Sequence, residues 1–326
     1  VFGRTLAEFH ADTLRMAEDW PGTMLTLSTH DTKRSADARA RINLMSELPE
    51  AWRTCVERLA SINDARREKW PDRGAEYLFY QTAAGAWPVD AERTGAFMTK
   101  ATREAKLHTS WLDPVPEYDE AVSAFVKGAL ADRTFIQELE GFLSANRIVE
   151  LGRLNSLAQM ALLLTCPGVP DLYQGSELWD LSLVDPDNRR PVDYQLRRRL
   201  LAALPQGPPG IPIGDDRHGI WKLWLTHRLL AHRRHRSELY DSGIYEPLDL
   251  ADDEDGHVVA FSRGDLAVVL PRLMARHGDR HWPAKVAIGT GKWTNVLTGT
   301  HFSGGLVPLS ELLAGCPVAV LSRGGR

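Results

Sequence analysis

The stretch Ser28–Arg34 (Ser-Thr-His-Asp-Thr-Lys-Arg) places a histidine, a carboxylate and two cations side by side. These groups suit a polyhydroxyl substrate, because charged acceptors and donors bind adjacent hydroxyls with defined orientation. A buried carboxylate would also stabilise the positive charge of an oxocarbenium-like transition state. The alternative interpretation is an ordinary strand-to-helix turn, in which Asp31 or Thr32 caps the next helix and the basic side chains meet water.

The elements around this stretch predict how it is positioned. The apolar run Met24–Leu27 precedes it and predicts a strand, and helix-forming sequence follows from Ser35. A second apolar run, Leu163–Cys166, predicts a buried strand that ends in a Pro-Gly-Val-Pro turn, followed by Tyr173 and Glu177. Parallel α/β folds build their sites at the carboxyl ends of strands, so we expect both strand ends to meet at one pocket.

Three sequence blocks, in this order, resemble motifs of the α-amylase superfamily (glycoside hydrolase family 13). They are Ser-Thr-His-Asp-Thr-Lys-Arg-Ser at 28–35, Cys-Pro-Gly-Val-Pro-Asp-Leu-Tyr-Gln-Gly-Ser-Glu-Leu-Trp at 166–179 and Leu-Val-Asp-Pro-Asp-Asn-Arg-Arg-Pro-Val-Asp at 183–193. The first block in full is similar to the trehalose-forming members of that superfamily. The resemblance covers most of the chain and implies a retaining mechanism with an Asp nucleophile, a Glu acid/base and a third Asp.

The resemblance also implies roles for particular residues. Asp31 matches the third carboxylate, a catalytic residue that stabilises the transition state without attacking. His30 matches the histidine that donates to hydroxyls of the same sugar, and Lys33 and Arg34 are expected to contact the leaving or accepting glucose. Further substrate-binding residues are expected on the rim of the pocket: Tyr173, Glu177, Asp187, Asn188 and Arg189. Whether Arg190 pairs with Asp193 is open at this stage.

The implied reaction is an intramolecular transglucosylation on a maltooligosaccharide. The reducing-end α-1,4 bond is cleaved, and the released glucose attacks again through its anomeric hydroxyl to give an α,α-1,1 linkage. Water has to be excluded during this exchange, so a covering lid is expected, and the helical residues 35–149 are the candidate. The resemblance implies no cofactor and no metal ion.

The carboxylates of the expected mechanism are incomplete in this sequence. No Gly-x-Arg-x-Asp strand end and no Glu-bearing strand precede Thr23. Retaining glycosidases need two carboxyl groups about 5–5.5 Å apart, which Asp31 alone cannot supply. We therefore expect the chain to be the C-terminal part of a larger enzyme, inactive alone, whose partner is the missing N-terminal half of the barrel.

The predicted fold class is multi-domain α/β. It combines the last two strands of a (β/α)8 TIM barrel with a large α-helical insert and a small C-terminal antiparallel β-domain. The expected domains are a barrel segment at 1–34, the helical insert at 35–150, the last barrel strand with its rim loop and helices at 151–239, and an all-β domain at 240–326.

Composition excludes several other classes. A net charge of -4 gives no reason to expect nucleic acid as a partner, and no apolar run of about 18 residues predicts a membrane span. The three cysteines, Cys55, Cys166 and Cys316, show no CxxC spacing for zinc and are expected to be buried free thiols in a cytoplasmic protein.

Three alternatives to the trehalose-forming enzyme stay open on sequence alone. The chain could be a non-catalytic module that binds maltooligosaccharide or another protein. It could belong to another hydrolase or transglycosylase of the same superfamily. It could also be a metal-dependent phosphohydrolase that uses His10, His30, Asp31 and a later Asp as ligands, although such ligands usually lie on helices.

Overall fold

The computed structural model describes residues 3–278 and 282–324, and the chain forms two compact units. The helical unit consists of Ser28–Gly152 and Asp180–Pro191. The sheet unit consists of Val1–Leu27, Arg153–Trp179 and Val192–Arg326. The three blocks that resemble the α-amylase superfamily are therefore divided between the two units.

Helices make up most of the helical unit, as the sequence predicts for the segment after Ser35. In chain order, the helices of the described residues are α1 (Leu6–Asp19), α2 (Ala36–Met45), α3 (Pro49–Asn63), α4 (Arg73–Ala86), α5 (Ala91–Ala105), α6 (Pro116–Ala131), α7 (Arg133–Ala145), α8 (Ile148–Thr165), α9 (Tyr194–Ala202), α10 (Ile220–His235), α11 (Ser237–Asp241), α12 (Met274–His277) and α13 (Leu309–Leu312). Helices α2 to α7 lie wholly in the helical unit.

Local sequence signals fix where these helices begin. Asp72, Asp90 and Asp132 cap α4, α5 and α7, each accepting backbone N–H groups of the first turn. Pro49 and Pro116 start α3 and α6, where the missing N–H costs nothing. Pro49 and Pro116 therefore mark helix starts rather than kinks.

An aromatic cluster fills the core of the helical unit. Phe79 of α4 stacks on Phe135 of α7 with ring centroids 5.6 Å apart, and Phe125 of α6 meets Phe79 edge-on at 5.9 Å. All three side chains are almost fully buried. Burial of such rings is the main stabilising term of a helix bundle, with about 0.5–1.5 kcal/mol more from each aromatic pair. Tyr80, the neighbour of Phe79 on α4, is buried in the same core.

The strands of the described residues all lie in the sheet unit. They are β1 (Met24–Thr26), β2 (Val169–Asp171), β3 (Tyr245–Pro247), β4 (Leu250–Ala251), β5 (Val258–Arg263), β6 (Leu266–Pro271), β7 (Lys285–Asn295), β8 (His301–Pro308) and β9 (Ala319–Arg323). Strands β3 to β9 pair antiparallel in the order β3-β5-β6-β9-β7-β4, and β8 adds to β7. The predicted C-terminal antiparallel sheet is confirmed.

Strand β6 shows why this sheet is stable. Leu266, Val268 and Leu270 pack into one buried apolar cluster, whereas Ala267 and Val269 pack into another. Alternate residues of a strand point to opposite faces, so both faces of β6 are covered. The run reads as continuously apolar in sequence for this reason.

The prediction of a buried strand at Leu163–Cys166 is wrong. Helix α8 continues to Thr165, and the strand that pairs parallel with β1 is β2, within the predicted turn. A short apolar run is consistent with a buried helix as well as with a strand, and periodicity alone does not separate them. Gly168 (φ +115°) makes the entry to β2, where a Cβ atom would lie 2.9 Å from the carbonyl oxygen of Thr23.

Two further findings concern the described residues as a whole. The three cysteines are buried and free, as predicted. No helix in the described ranges combines the length and apolar composition needed to span a bilayer.

Candidate functional site

The His30–Asp31 pair lies in a tight turn, which we call the His-Asp turn (residues 29–32). The Thr32 hydroxyl donates to the Thr29 carbonyl at 2.9 Å and accepts from the Thr29 N–H at 3.2 Å. The Asp31 N–H donates to the Thr29 hydroxyl at 3.2 Å. The threonines thus satisfy the backbone of the turn, and the side chains of His30 and Asp31 stay exposed.

Helix α2 is capped by Ser35 rather than by Asp31 or Thr32. The Ser35 hydroxyl accepts from the Ala38 N–H at 3.4 Å and donates to the Asp180 carbonyl at 2.5 Å. The capping interpretation of the His-Asp stretch is therefore wrong in its choice of residue. Ser35 also ties the start of α2 to the segment Asp180–Pro191, which we call the Asp187 loop.

Asp187 is the central ion-pairing group of the Asp187 loop. Its two carboxylate oxygens accept from Arg93 Nε at 2.8 Å and Arg93 Nη2 at 2.9 Å, and from the Leu183 N–H at 2.7 Å. Arg190 Nε lies 3.1 Å from the same carboxylate, so Arg190 pairs with Asp187 and not with Asp193. Burial works to raise the pKa of Asp187, but the hydrogen bonds from Arg93 and Leu183 outweigh it, and the pKa lies below its usual value.

The neighbouring residue Asn188 joins the Asp187 loop to the His-Asp turn. Its amide donates to the His30 carbonyl at 2.9 Å and to the Thr29 carbonyl at 3.3 Å. Arg189, by contrast, is more than half exposed and pairs with Asp185 at 3.2 Å. The three predicted rim residues therefore differ. Asp187 binds arginines and a backbone N–H group, Asn188 binds backbone carbonyl groups, and Arg189 faces solvent.

Lys33 and Glu104 form the ion pair next to Asp31. Lys33 Nζ lies 2.6 Å from Glu104 and 3.5 Å from Asp31. The Glu104 hydrogen bond is the largest cause of a raised Lys33 pKa. Lys100, one turn before Glu104 on α5, donates to the Asp185 carbonyl at 3.1 Å. Helix α5 thus supplies two charged groups beside the His-Asp turn.

Arg34 is held differently from Lys33. Its Nε and Nη2 donate to the Thr82 hydroxyl at 3.2 and 2.9 Å, and its guanidinium lies 5.4 Å from the ring centroid of Phe97. Its backbone forms an isolated antiparallel bridge with Leu183. Burial lowers the pKa of Arg34 from its ordinary value. Arg34 therefore meets a hydroxyl and an aromatic face where Lys33 meets carboxylates.

Two cavities of the helical unit adjoin these residues and share Phe97 and Val184 as walls. The first, which we call the Lys33 cavity, has a volume of about 410 Å³ and is lined by Lys33, Arg34, Leu78, Phe97, Lys100 and Glu104, among others. The second, which we call the Asp187 cavity, has a volume of about 290 Å³ and includes Arg93, Asp187 and Arg190. Concave sites with an apolar floor and a few polar groups are typical of ligand pockets.

Tyr173 and Glu177 belong to the sheet unit, which is described by itself. Glu177 accepts a hydrogen bond from Arg197 Nε, and Arg197 Nη2 donates to the Gly175 carbonyl at 2.9 Å. Tyr173 is partly buried. Glu177 is thus an ion-paired carboxylate next to β2.

Sequence reasoning missed the contribution of α5 to the site. Arg93, Phe97, Lys100 and Glu104 recur at intervals of four, three and four residues, and all of them line the two cavities. This spacing puts them on one face of a helix. A face that carries an aromatic among opposite charges was the available signal, but the segment was interpreted only as part of a lid.

No group of three or more His, Cys, Asp or Glu side chains is placed to hold a metal ion in the described ranges. His10, a residue of the metal-ligand alternative, lies in the sheet unit and hydrogen-bonds through Nδ1 to the Tyr245 hydroxyl at 2.7 Å.

Known proteins resemble this chain along nearly all of its length. Two curated proteins of Mycobacterium tuberculosis, strains CDC 1551 / Oshkosh and ATCC 25618 / H37Rv, are both named putative maltooligosyl trehalose synthase. Each is 39% identical over 331 residues, which covers 99% of this chain and 40% of the relative. No family model matches the chain.

Solved structures agree with these relatives. The maltooligosyltrehalose synthase from Arthrobacter ramosus matches with a TM-score of 0.86 at 36% identity, covering 99% of this chain and 41% of that one. A hypothetical maltooligosyl trehalose synthase from Sulfolobus tokodaii matches with a TM-score of 0.78 at 29% identity and the same coverage. The chain thus spans about 40% of the length of the relatives that it matches, and the resemblance to trehalose-forming enzymes is confirmed.

Proposed function

We propose, from its similarity to maltooligosyltrehalose synthases over 99% of its length, that this chain is the C-terminal part of such an enzyme. The whole enzyme converts the reducing-end α-1,4 linkage of a maltooligosaccharide to an α,α-1,1 linkage. It does so by retaining, intramolecular transglucosylation. Within the structure, the single observation that carries the proposal is the exposed His30–Asp31 pair, on a turn to which Thr32 and Asn188 donate hydrogen bonds.

Asp31 is the proposed stabiliser of the oxocarbenium-like transition state. Its side chain is 67% exposed, and its ion pair with Lys33 is 3.5 Å long, so the carboxylate is available to sugar hydroxyls. His30 presents an exposed imidazole from the same turn. Because Asn188 and the threonines hold only the backbone, the site is pre-organised without using its reactive groups.

The Lys33 cavity is the proposed binding site of the glucose that leaves and attacks again. Lys33 and Arg34 supply donors at its edge, and Phe97 supplies an apolar wall. A sugar ring has apolar C–H faces and polar hydroxyl edges, and such a lining matches both. Tyr173 and Arg189 are proposed as further sugar contacts. We propose that Asp187, Asn188 and Glu177 mainly position neighbouring backbone and cations.

The nucleophile and the acid/base are proposed to lie in the part of the relatives that this chain does not span. The proposal of a barrel is supported by β1 and β2, because the two-stranded parallel sheet that they form among the described residues is far smaller than the parallel sheets of α/β proteins. We propose that they are the last barrel strands, that the remaining strands come from the N-terminal half, and that the helical unit is the lid.

Incubation of the chain with maltopentaose tests this proposal. Loss of reducing ends and release of glucose are followed separately, and binding is followed by calorimetry, with Asp31→Asn as the matched variant. We expect binding that Asp31→Asn weakens, and no change in reducing ends. Loss of reducing ends by the chain alone would contradict the proposed absence of the nucleophile. Equal binding by both proteins would favour the alternative of a binding module that does not use Asp31.

A further inference from the structure

The Lys33 cavity contains more positive than negative charge. One lining carboxylate, Glu104, lies 2.6 Å from Lys33 and 4.0 Å from Lys100. Asp31, which is largely exposed, is the only other acidic group paired with these cations among the described residues. Arg34 is the third cation of the lining. Three cations therefore share two carboxylates.

Arg34 is the least compensated of the three cations. It forms no ion pair within the described ranges, and its hydrogen bonds go to the neutral hydroxyl of Thr82. The Phe97 ring beside it offers only a weak cation–π attraction. A partly buried guanidinium without a carboxylate loses solvation that no protein charge restores, so an incoming anion is favoured there.

The adjacent Asp187 cavity does not share this excess of positive charge. There, Arg93 and Arg190 both contact the carboxylate of Asp187, within 2.8 and 3.1 Å. Glu92 lines the same cavity, so its two cations are matched by acidic groups. The two cavities share Phe97 and Val184, yet among the described residues only the Lys33 cavity has an arginine without an ion pair.

The size of the Lys33 cavity limits the anion. Its volume of about 410 Å³ is much larger than an inorganic phosphate, and Leu78, Phe97 and Val184 make part of its lining apolar. The cavity therefore fits a ligand with a charged end and a ring with apolar faces. A phosphate ester of a hexose has both parts.

We propose that the Lys33 cavity binds a hexose phosphate. The phosphate is held by Arg34, Lys33 and Lys100, and the sugar ring lies against Phe97. The anionic part of this proposal stands on the charges alone, whereas its sugar part rests on the proposed function. Because the same cavity is the proposed glucose site, a bound hexose phosphate competes with the maltooligosaccharide end.

Calorimetry on the whole chain tests the proposal with glucose 6-phosphate, inorganic phosphate and glucose at low and high salt. We expect glucose 6-phosphate to bind more tightly than phosphate, and its affinity to fall with salt because salt screens these partly exposed charges. Lys100→Gln and Arg34→Gln are each expected to weaken binding at least about tenfold, since one charge-assisted phosphate contact is lost. Arg53→Gln, an exposed cation of the same unit paired with Glu50, is the control and should bind normally.

Other results of these titrations would overturn the whole proposal or its sugar part. Equal affinity of all three variants would overturn it, and so would the absence of any binding by both anions. Equal affinity for phosphate and glucose 6-phosphate would overturn the sugar part and support the anionic part. Maltopentaose binding is measured on the same samples. If it persists while anion binding fails, the hexose phosphate proposal fails and the proposed function does not.

Discussion

The His-Asp turn and the Asp187 loop look equally functional in sequence, but their side chains are used in opposite ways. In the turn, His30 and Asp31 are exposed, and Asp31 makes one long ion pair at 3.5 Å. In the loop, Asp187 is only 10% exposed and is held by Arg93, Arg190 and a backbone N–H group. The side chains of His30 and Asp31 are accessible to a ligand, whereas the carboxylate of Asp187 is already hydrogen-bonded to protein groups.

This difference indicates that the two regions have different roles. A carboxylate with several protein donors has few lone pairs left for a sugar, whereas an exposed one keeps them. Asn188 links the two regions, because its side chain in the Asp187 loop holds the backbone of His30. We infer that the Asp187 loop positions the turn, and that the turn meets the substrate.

The largest expected effect comes from Asp187→Asn. The substitution removes the nearest charge that compensates Arg93, whose side chain is only 22% exposed and whose other paired carboxylate, Asp90, lies 3.9 Å away. Leaving one partner of a mostly buried pair uncompensated costs about 3–5 kcal/mol. We therefore expect the free energy of unfolding, measured by urea titration with circular dichroism, to fall by about 3 kcal/mol.

Asp185→Asn is the matched control for this prediction. Asp185 lies in the same loop, but its partner Arg189 is 54% exposed, so the pair is worth at most about 1 kcal/mol. Similar losses for the two variants would show that Asp187 is not the structural centre of the loop, and the comparison above would fail.

A smaller effect on stability is expected from protonation of His232, a partly buried histidine of α10. Burial lowers its pKa to about 4, with a further contribution from Arg236, and its Nδ1 hydrogen-bonds to the Tyr240 hydroxyl at 2.6 Å. Because the pKa in the folded state is below the ordinary value, the unfolded chain binds more protons between pH about 6.5 and about 4. The stabilisation is complete above that window and is lost as the pH falls through it.

We expect this loss to be about 1–2 kcal/mol, after allowance for the partial exposure of the ring. His232→Gln should lose less stability than the natural chain between pH 7 and pH 4.5, measured by thermal unfolding. His235→Gln, which removes an exposed imidazole of the same helix, should keep the natural pH dependence. A pH dependence that His232→Gln leaves unchanged would assign it to other groups.

Asn188→Ala is expected to cost about 1 kcal/mol, because two carbonyl groups lose a donor but keep access to water. The effect should be local. Amide hydrogen exchange of residues 29–35 is expected to accelerate, whereas exchange in α6 should not change. Asn146→Ala, at the end of α7, removes a comparable amide bond to Phe142 and serves as the control. Unchanged exchange in the turn would mean that Asn188 does not position it.

The sequence predicted the helical segment after Ser35 and the C-terminal antiparallel sheet because the signals for both are local. Apolar stripes with capping aspartates and N1 prolines indicate helices, and Gly264-Asp265 indicates the hairpin between β5 and β6, where Gly264 has φ +56°. The parallel strand after α8 was misplaced, since the apolar run Leu162–Leu164 fits a buried helix as well as a strand. The free, buried cysteines followed from spacing alone.

The candidate site was predictable only in part. The His-Asp turn stood out because its residue types are unusual at a strand end. The residue next to the turn, Lys33, pairs with Glu104 of α5, 71 residues further along the chain, and no local pattern states that these two residues meet. For the same reason, the sequence could not show that Asp187 accepts hydrogen bonds from Arg93, and the substrate contact expected of Asp187 stays a prediction.

The smallest effect on stability is expected at the residue to which we assign the largest effect on function. Asp31→Asn removes an exposed carboxylate whose one ion pair, with Lys33, is long, so unfolding should change by less than about 0.5 kcal/mol. Its binding of maltopentaose should nevertheless weaken, because an amide stabilises sugar hydroxyls less than a carboxylate does. Asp64→Asn, which changes a similarly exposed carboxylate of the same unit, should alter neither quantity. If Asp31→Asn destabilised the fold as Asp187→Asn does, the turn would be a structural element like the loop. The distinction between residues that position the site and residues that contact the substrate would then fail.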